Sequence, residues 1–243
     1  MQTTSSLYQT ILADPSHIKV WKAVIEDVEY LEDHIVSTNI YRSLYGNNII
    51  GGTYSAGMTI TLKDVPSENI PKMARVQIYY CLTHVVNRIE ESSEWISKGV
   101  FWVNQRRENK LDETIELTCV DGMMFGEQMF YPEEAEITDW NNKTMREVAR
   151  MCAQKMSYST TSMTLEREED FQNAVPYVIT APPIGYTVRQ VLSAIAISHC
   201  GNIIVTENNQ LRLVPFYSAP AESHILTNEQ GIGILFGGDR IVV

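Results

Sequence analysis

The sequence predicts an α+β protein that is mainly β, and three observations carry that prediction. The first half is a succession of short segments rich in β-branched and aromatic residues, separated by polar or glycine-containing turns. The second half holds two segments with apolar residues at helical spacing. A hydrophobic fraction of 44% is that of a folded globular chain and argues against disorder. At 243 residues the chain can form one large domain or two modest ones.

Met1–Ala13 (MQTTSSLYQTILA) lacks the basic region and long apolar core of a signal peptide and reads as a short amphipathic arm or helix. Ile18–Glu26 is strand-like, and a polar turn follows around Glu32-Asp33. Ile35–Leu44 is the next strand, Gly46–Gly52 a Gly/Asn loop, and Gly57–Lys63 (GMTITLK) alternates cleanly. Ala74–Leu82 is β-branched and aromatic. Trp95–Gln105 carries Gly99 at its middle, which predicts a bulge or bend. Arg106–Asp112 reads as a charged turn, and Glu113–Asp121 as an alternating strand. Evenly spaced antiparallel strands of this kind predict a barrel or a sandwich.

Pro132–Trp140 is an acidic connector. It divides the chain into a β-rich, barrel-like domain over 1–131 and an α/β region over 141–243. Within the second region, Thr144 and Glu147 form one capping box, and Thr187 and Gln190 another, forty-three residues later. Met145, Val148, Ala149, Cys152 and Met156 stand at the same offsets as Val188, Val191, Leu192, Ile195 and His199. Arg146 likewise matches Arg189. Ser157–Leu165 is β-prone. Gly201 fits a left-handed helix stop. Ile203–Val205, a turn at Glu207-Asn208-Asn209, and Leu211–Leu213 then read as a hairpin that Pro215 ends. Glu166–Gly185 is a polar and proline-rich excursion. Ile225–Val243 reads as a strand or hairpin whose apolar end points to a longer natural chain or a covering partner.

The net charge of −11 weighs against tight binding to a nucleic-acid backbone, which needs clustered Lys and Arg. No run of eighteen apolar residues exists, so no membrane span is expected. Cys81, Cys119, Cys152 and Cys200 lack metal-site or redox spacing and read as buried free thiols of a reducing compartment.

Chemistry-bearing groups are few. His199 and Cys200 are neighbours on a helical pattern, so their side chains diverge and form no dyad. Glu32-Asp33-His34 reads as a solvated turn, because the other histidines lack metal-ligand spacing to it. Glu166–Asp170 lacks the alternation and glycine of a calcium loop. Gly231–Gly237 lacks the helix and Lys-Ser/Thr ending of a phosphate loop. Tyr79, Tyr80, Trp95, Phe101 and Trp102 can stack on bases or sugars, but without basic residues on the same strands they read as core or subunit contact. No catalytic, cofactor-binding or metal-binding residue is assigned, and no cofactor is expected.

The order of segments carries further. IVSTNIYRSLYG leads through a glycine-rich turn to GMTITL. SKGVFWVNQ is followed by ETIELTCVDGMMF, whose Asp-Gly precedes a short helix. A Thr-x-Arg-x-Val helix then comes before an excursion and a second such helix in TVRQVLSAIAISHCGNIIVTENNQLRLVPF. Over roughly residues 15–220 this arrangement resembles the baseplate and tail-tip hub proteins of tailed bacteriophages and contractile injection particles. The resemblance implies tail-tube-like β-barrel domains joined to small α/β elements. It implies a homo-oligomer, a trimer, that joins the tail tube to spike or tip proteins around the DNA channel. It also implies a place in the virion tail after synthesis in the bacterial host cytoplasm. A structural, non-enzymatic role is the leading reading. A tail-associated cell-wall hydrolase or peptidase and a host-glycan-binding tail module are the alternatives.

Overall fold

A computed structural model describes residues 4–44, 50–86, 89–134, 137, 140–172 and 178–216, with the backbone of 235–236 and 239–240. A short N-terminal helix, α1 (Ser6–Ala13), is capped by Ser5, whose hydroxyl accepts from the Tyr8 amide. The main sheet then uses β1 (Ile18–Ile25), β2 (Val28–Tyr30), β3 (Ile35–Tyr41), β5 (Gly57–Lys63), β6 (Arg75–Val86), β7 (Ile89–Ser92), β8 (Ile96–Asn109) and β9 (Thr114–Asp121). Their spatial order is β2-β1-β6-β8-β9-β5-β3, with β7 added to the end of β6, and every pairing is antiparallel.

Alternation decides which face is buried. Met58, Ile60 and Leu62, Val76 and Ile78, Phe101 and Val103, and Ile115, Leu117 and Cys119 all point into one cluster with Ala23, Ile25 and Tyr30. One core shared by strands from β1 to β5 requires the sheet to curl around it. Each of its fully buried aliphatic side chains contributes about 1.5–3 kcal/mol by leaving water. Gly99, at φ +132°, provides the bend, and the β6–β8 register shifts between Ile78 and Tyr79 beside it.

The curl stops short of the expected barrel. β1 and β3 approach within 8 Å but are not paired. The reason is local: β2 has only three residues, and the Leu31–His34 turn feeds straight into β3. Among the described residues, no strand is left to bridge the two edges.

The second layer is a four-stranded mixed sheet. It comprises β4 (Thr53–Tyr54), drawn from the connection between β3 and β5, with β11 (Thr164–Glu166), β13 (Gly201–Val205) and β14 (Gln210–Pro215). Their spatial order is β11-β14-β13-β4. β4 and β11 are parallel to their neighbours, and β13–β14 is the antiparallel hairpin. Two helices, α2 (Met145–Lys155) and α3 (Val188–Ser198), pack on this sheet. Both capping boxes form, with Thr144 N–H to Glu147 Oε2 at 2.7 Å and Thr187 N–H to Gln190 Oε1 at 2.8 Å. The buried faces repeat at the same offset: Met145, Val148, Ala149, Cys152 and Ala153 on α2, and Val188, Val191, Leu192, Ile195 and Ala196 on α3. A two-residue ladder pairs β10 (Lys143–Thr144), at the entry to α2, with β12 (Val178–Ile179).

Several sequence expectations need correction. Arg106–Asn109 continues β8, so the charged turn lies over 110–113. Most of Ser157–Leu165 is turn, held by Tyr158–Thr161 backbone bonds, and only its end enters β11. The left-handed residue after α3 is Cys200, at φ +48°. Gly201 is needed for a different reason: a Cβ there would sit 2.6 Å from the Val214 carbonyl. In Ile225–Val243 the backbone pairs Leu235–Phe236, as β15, with Asp239–Arg240, as β16; its other residues lie outside those described.

Candidate functional site

The groups with chemical potential are dispersed. His199 caps the end of α3 with its Nε2 buried and without a hydrogen-bond partner among the described residues, and burial depresses its pKa. Cys200 is exposed, contrary to the sequence reading, because its left-handed backbone turns it out of the helix. Cys81, Cys119 and Cys152 are buried, and burial pushes the Cys119 thiol up to about 12. The Glu32–His34 turn brings His34 to Asp33 at 3.7 Å, to the Lys63 carbonyl at 3.3 Å and edge-on to the Tyr30 ring at 5.9 Å. Glu166 and Glu168 pair with Arg212 and Arg150, and Arg167 bridges Glu169 and Asp170. Among the described residues no group of three or more His, Cys, Asp or Glu is placed to hold a metal ion. Gly231, Gly233 and Gly237 lie outside them.

The aromatic residues separate by role. Phe101 belongs to the main core, and Trp102 stacks edge-on against Phe125 at 5.0 Å where the two layers meet. Trp95 is partly exposed. The sequence reading denied these rings basic neighbours, and the fold supplies them. Lys22 Nζ stands 4.9 Å from the Trp95 ring and 5.5 Å from Tyr79, while Lys98 Nζ stands 4.7 Å from Tyr80. The miss has a simple cause: β1 carries Lys19 and Lys22 beside β6, and Lys98 was already present in β8.

Sequence reasoning found no sign of a histidine clamp. His84 is buried at the end of β6, with Nδ1 3.0 Å from Asp14 and Nε2 3.4 Å from Glu91. The Asp14 hydrogen bond raises the His84 pKa. Hydrogen bonds from Ser16, with a lesser one from His84, lower Asp14 to about 2. The clamp fastens α1 to the sheet, together with buried Ile11, the Tyr8–Tyr80 hydroxyl pair at 2.5 Å and the Ser5–Glu94 contacts. Asp14 and His84 are 70 residues apart, and no spacing rule links them.

What the structure does concentrate is a joint between its layers and a set of open edges. At the joint, the strap from Ile50 to Ala56 lies against the second sheet. Ile203 N–H donates to the Gly52 carbonyl at 2.9 Å, and Asn202 Oδ1 accepts from Gly52 N–H at 2.7 Å. Ser193 Oγ donates to the Gly51 carbonyl, and Arg42 pairs with Glu207. Asp121, at the end of β9, accepts from Ser55 Oγ and Ala56 N–H at 2.7 Å each and from Met123 N–H at 3.1 Å. Burial pushes its carboxyl up, against the pull of those donors.

The open edges belong to the main sheet. Away from β6, β1 is paired only over Ala23–Ile25, so Ile18–Lys22 has no second partner strand among the described residues. The outer side of β3 has none among them either. Exposed apolar side chains, Ile18, Val36 and Tyr41, stand on these two strands. An unpaired edge of this kind can accept another strand.

No protein-family model matches the chain, and no curated protein matches it either. Solved structures do. The chain is similar to the 43 kDa tail protein of prophage MuSo2 from Shewanella oneidensis, with a TM-score of 0.51 and 11% identity over 86% of this chain and 59% of that one. It is similar to a tail protein from Neisseria meningitidis MC58, with a TM-score of 0.51 and 13% identity over 84% of this chain and 53% of that one. The chain thus spans little more than half the length of these tail proteins. At these identities the likeness is one of fold: over most of its length, the chain carries a fold found in phage tail proteins.

Proposed function

We propose that this chain is a structural component of a phage or phage-like tail, acting as a hub at the baseplate or tip. In this reading it joins the tail tube to the spike or tip as part of a trimeric ring around the DNA channel. The observation that carries the reading is the pairing of a tail-protein fold with a curled sheet left open at β1 and β3. A ring of copies needs head-to-tail contacts, and two different free edges on one sheet are a surface for them. The net charge of −11 fits a channel that must not retain DNA. The division into 1–131 and 141–243 belongs to the same reading, with the first region building the ring and the second facing neighbouring tail proteins.

Immunogold electron microscopy of particles released from producing cells is the direct test. Label at the distal end of the tube is expected. Particles that carry no label there would overturn the hub assignment. One observation favours a second reading, a glycan-binding tail module: Trp95 is partly exposed, with Lys22 over its ring. Quenching of tryptophan fluorescence by host surface glycans, lost in Trp95→Ala, would support it.

A further inference from the structure

The small sheet has two faces. Alternation sends Leu165, Ile203, Val205 and Leu211 into the core shared with the helices. Their neighbours form a row across the opposite face. Tyr54 of β4 pairs with Ile204 of β13, Ile204 with Arg212 of β14, and Arg212 with Glu166 of β11. This row lines a cleft between the two layers. One part, of about 670 Å³, opens toward Trp95 and Asn208. A second part, of about 400 Å³, runs toward Tyr54 and Asp121. Arg42, Ile204, Val205 and Arg212 line both, so the two are one trough.

An aromatic ring thus stands in each part of the trough, with guanidinium–carboxylate pairs along its length. Arg42 pairs with Glu207. Arg212 Nη1 stands 3.6 Å from Glu166 Oε1, an ion pair longer than a hydrogen bond. These four side chains are 29–36% exposed, so solvent reaches them. Trp95 is 39% exposed, with Lys22 Nζ over its ring at 4.9 Å.

We propose that this trough binds a neutral oligosaccharide. The proposal rests on the glycan-binding reading of Trp95, which it extends to a seat for the ligand, and it is independent of the hub assignment. A sugar ring has an apolar C–H face, which packs on an aromatic ring, and a rim of hydroxyls that each donate and accept. A guanidinium offers only donors and a carboxylate only acceptors. A loosely held pair such as Arg212 and Glu166 can therefore bond adjacent hydroxyls in both senses. Charge selects the neutral class. Among the described residues that line the trough, each guanidinium already faces a carboxylate, so an anion meets no unmatched cation. An apolar ligand would strip water from those groups without replacing its hydrogen bonds. The row from Tyr54 to Glu166 crosses three strand spacings, about 14 Å, which suits a chain of sugars better than a single one.

The test applies the full chain to a printed array of neutral and acidic bacterial surface oligosaccharides, and the tightest binder is then titrated by calorimetry. A neutral oligosaccharide of two or more units is expected. Hydrogen exchange of the complex should gain protection at 94–97 and 204–212. Arg212→Ala and Glu166→Gln should each weaken binding at least about tenfold, the worth of a hydrogen bond to a charged group. Circular dichroism checks both folds, and Glu166→Gln, which preserves the shape of the side chain, decides the matter if Arg212→Ala does not fold. No binding anywhere on the array would overturn the glycan reading and the trough together. Binding lost in Trp95→Ala but unchanged in Arg212→Ala and Glu166→Gln would overturn the trough alone. Protection confined to other segments would do the same. Selection of acidic sugars would overturn the neutral assignment.

Discussion

Asp121 illustrates how much one side chain holds at the joint. Its carboxylate is out of water and fixes the strap through Ser55 and Ala56 while capping the 3-10 turn Gly122–Glu127 through Met123. Asp121→Ala strands those donors and should cost about 2–4 kcal/mol in chemical denaturation, since buried bonds to charged groups are each worth about 1.5–3 kcal/mol. A loss below about 1 kcal/mol would contradict that role. His84 makes a prediction about pH. Its folded pKa is raised, so the stability it adds is complete below its unfolded value near 6.5 and is lost as pH rises through the folded value. Asp14 works in the opposite sense: its contribution is present above its ordinary value of 3.8 and is lost as pH falls toward about 2. Attachment of α1 should therefore be firmest between these limits. Protection factors of the Tyr8–Ala13 amides, with the intrinsic pH dependence of exchange divided out, should fall above neutrality, and His84→Gln should abolish that fall. The sequence held no sign of either arrangement, because Asp14 and His84, like Ser55 and Asp121, meet only through the tertiary fold.

At the scale of elements much more was legible. The capping boxes, the buried helix faces, the β13–β14 hairpin and the cleanly alternating β5 all rest on interactions within a few residues, and those are written locally. Thr144→Ala and Thr187→Ala should each lower stability by about 1 kcal/mol. In a chain of this size that is about 2–4 °C in melting temperature. A change in only one of the two would break the parallel between the helices. The errors fell where tertiary pairing overrides propensity. Ser157–Thr161 is Thr-rich and β-prone, yet it turns because no neighbouring strand among the described residues accepts it. β2 and β7 were missed, being three and four residues long and existing only as additions to longer strands. Cys200 holds the left-handed position assigned to Gly201, because the glycine was already required where β13 crosses close to Val214.

For the whole molecule, class and strand content could be read from sequence, but closure could not. Whether a sheet seals into a barrel depends on the lengths of its last strands, and the three residues of β2 are too few to seal this one. The assembly reading turns on those unsealed edges. Val36→Lys lies at the bulge in β3 on an exposed side chain. Its effect on the folded monomer should stay within about 0.5 kcal/mol. If β3 is a docking edge, the same change should weaken self-association measured by light scattering and reduce incorporation into particles. Unchanged association would remove β3 from the interface.

The strap from Ile50 to Ala56 also has a mechanical meaning. Two rungs of parallel pairing, Ile203 with Thr53 and Ile204 with Tyr54, tie a large curled sheet to a small helix-backed one. Asp121 acts as the rivet beside them. A tension applied across the molecule loads this narrow crosspiece together with side-chain contacts such as Trp102–Phe125 and Arg42–Glu207, whereas each layer on its own is laced by longer ladders. The molecule is therefore expected to yield first at the seam, leaving two intact halves on a common thread. Force spectroscopy between handles at residues 4 and 216 should show that early, small extension, weakened further by Asp121→Ala. Under the proposed tail role, such a seam would let strain collect where it can be released without unravelling either layer.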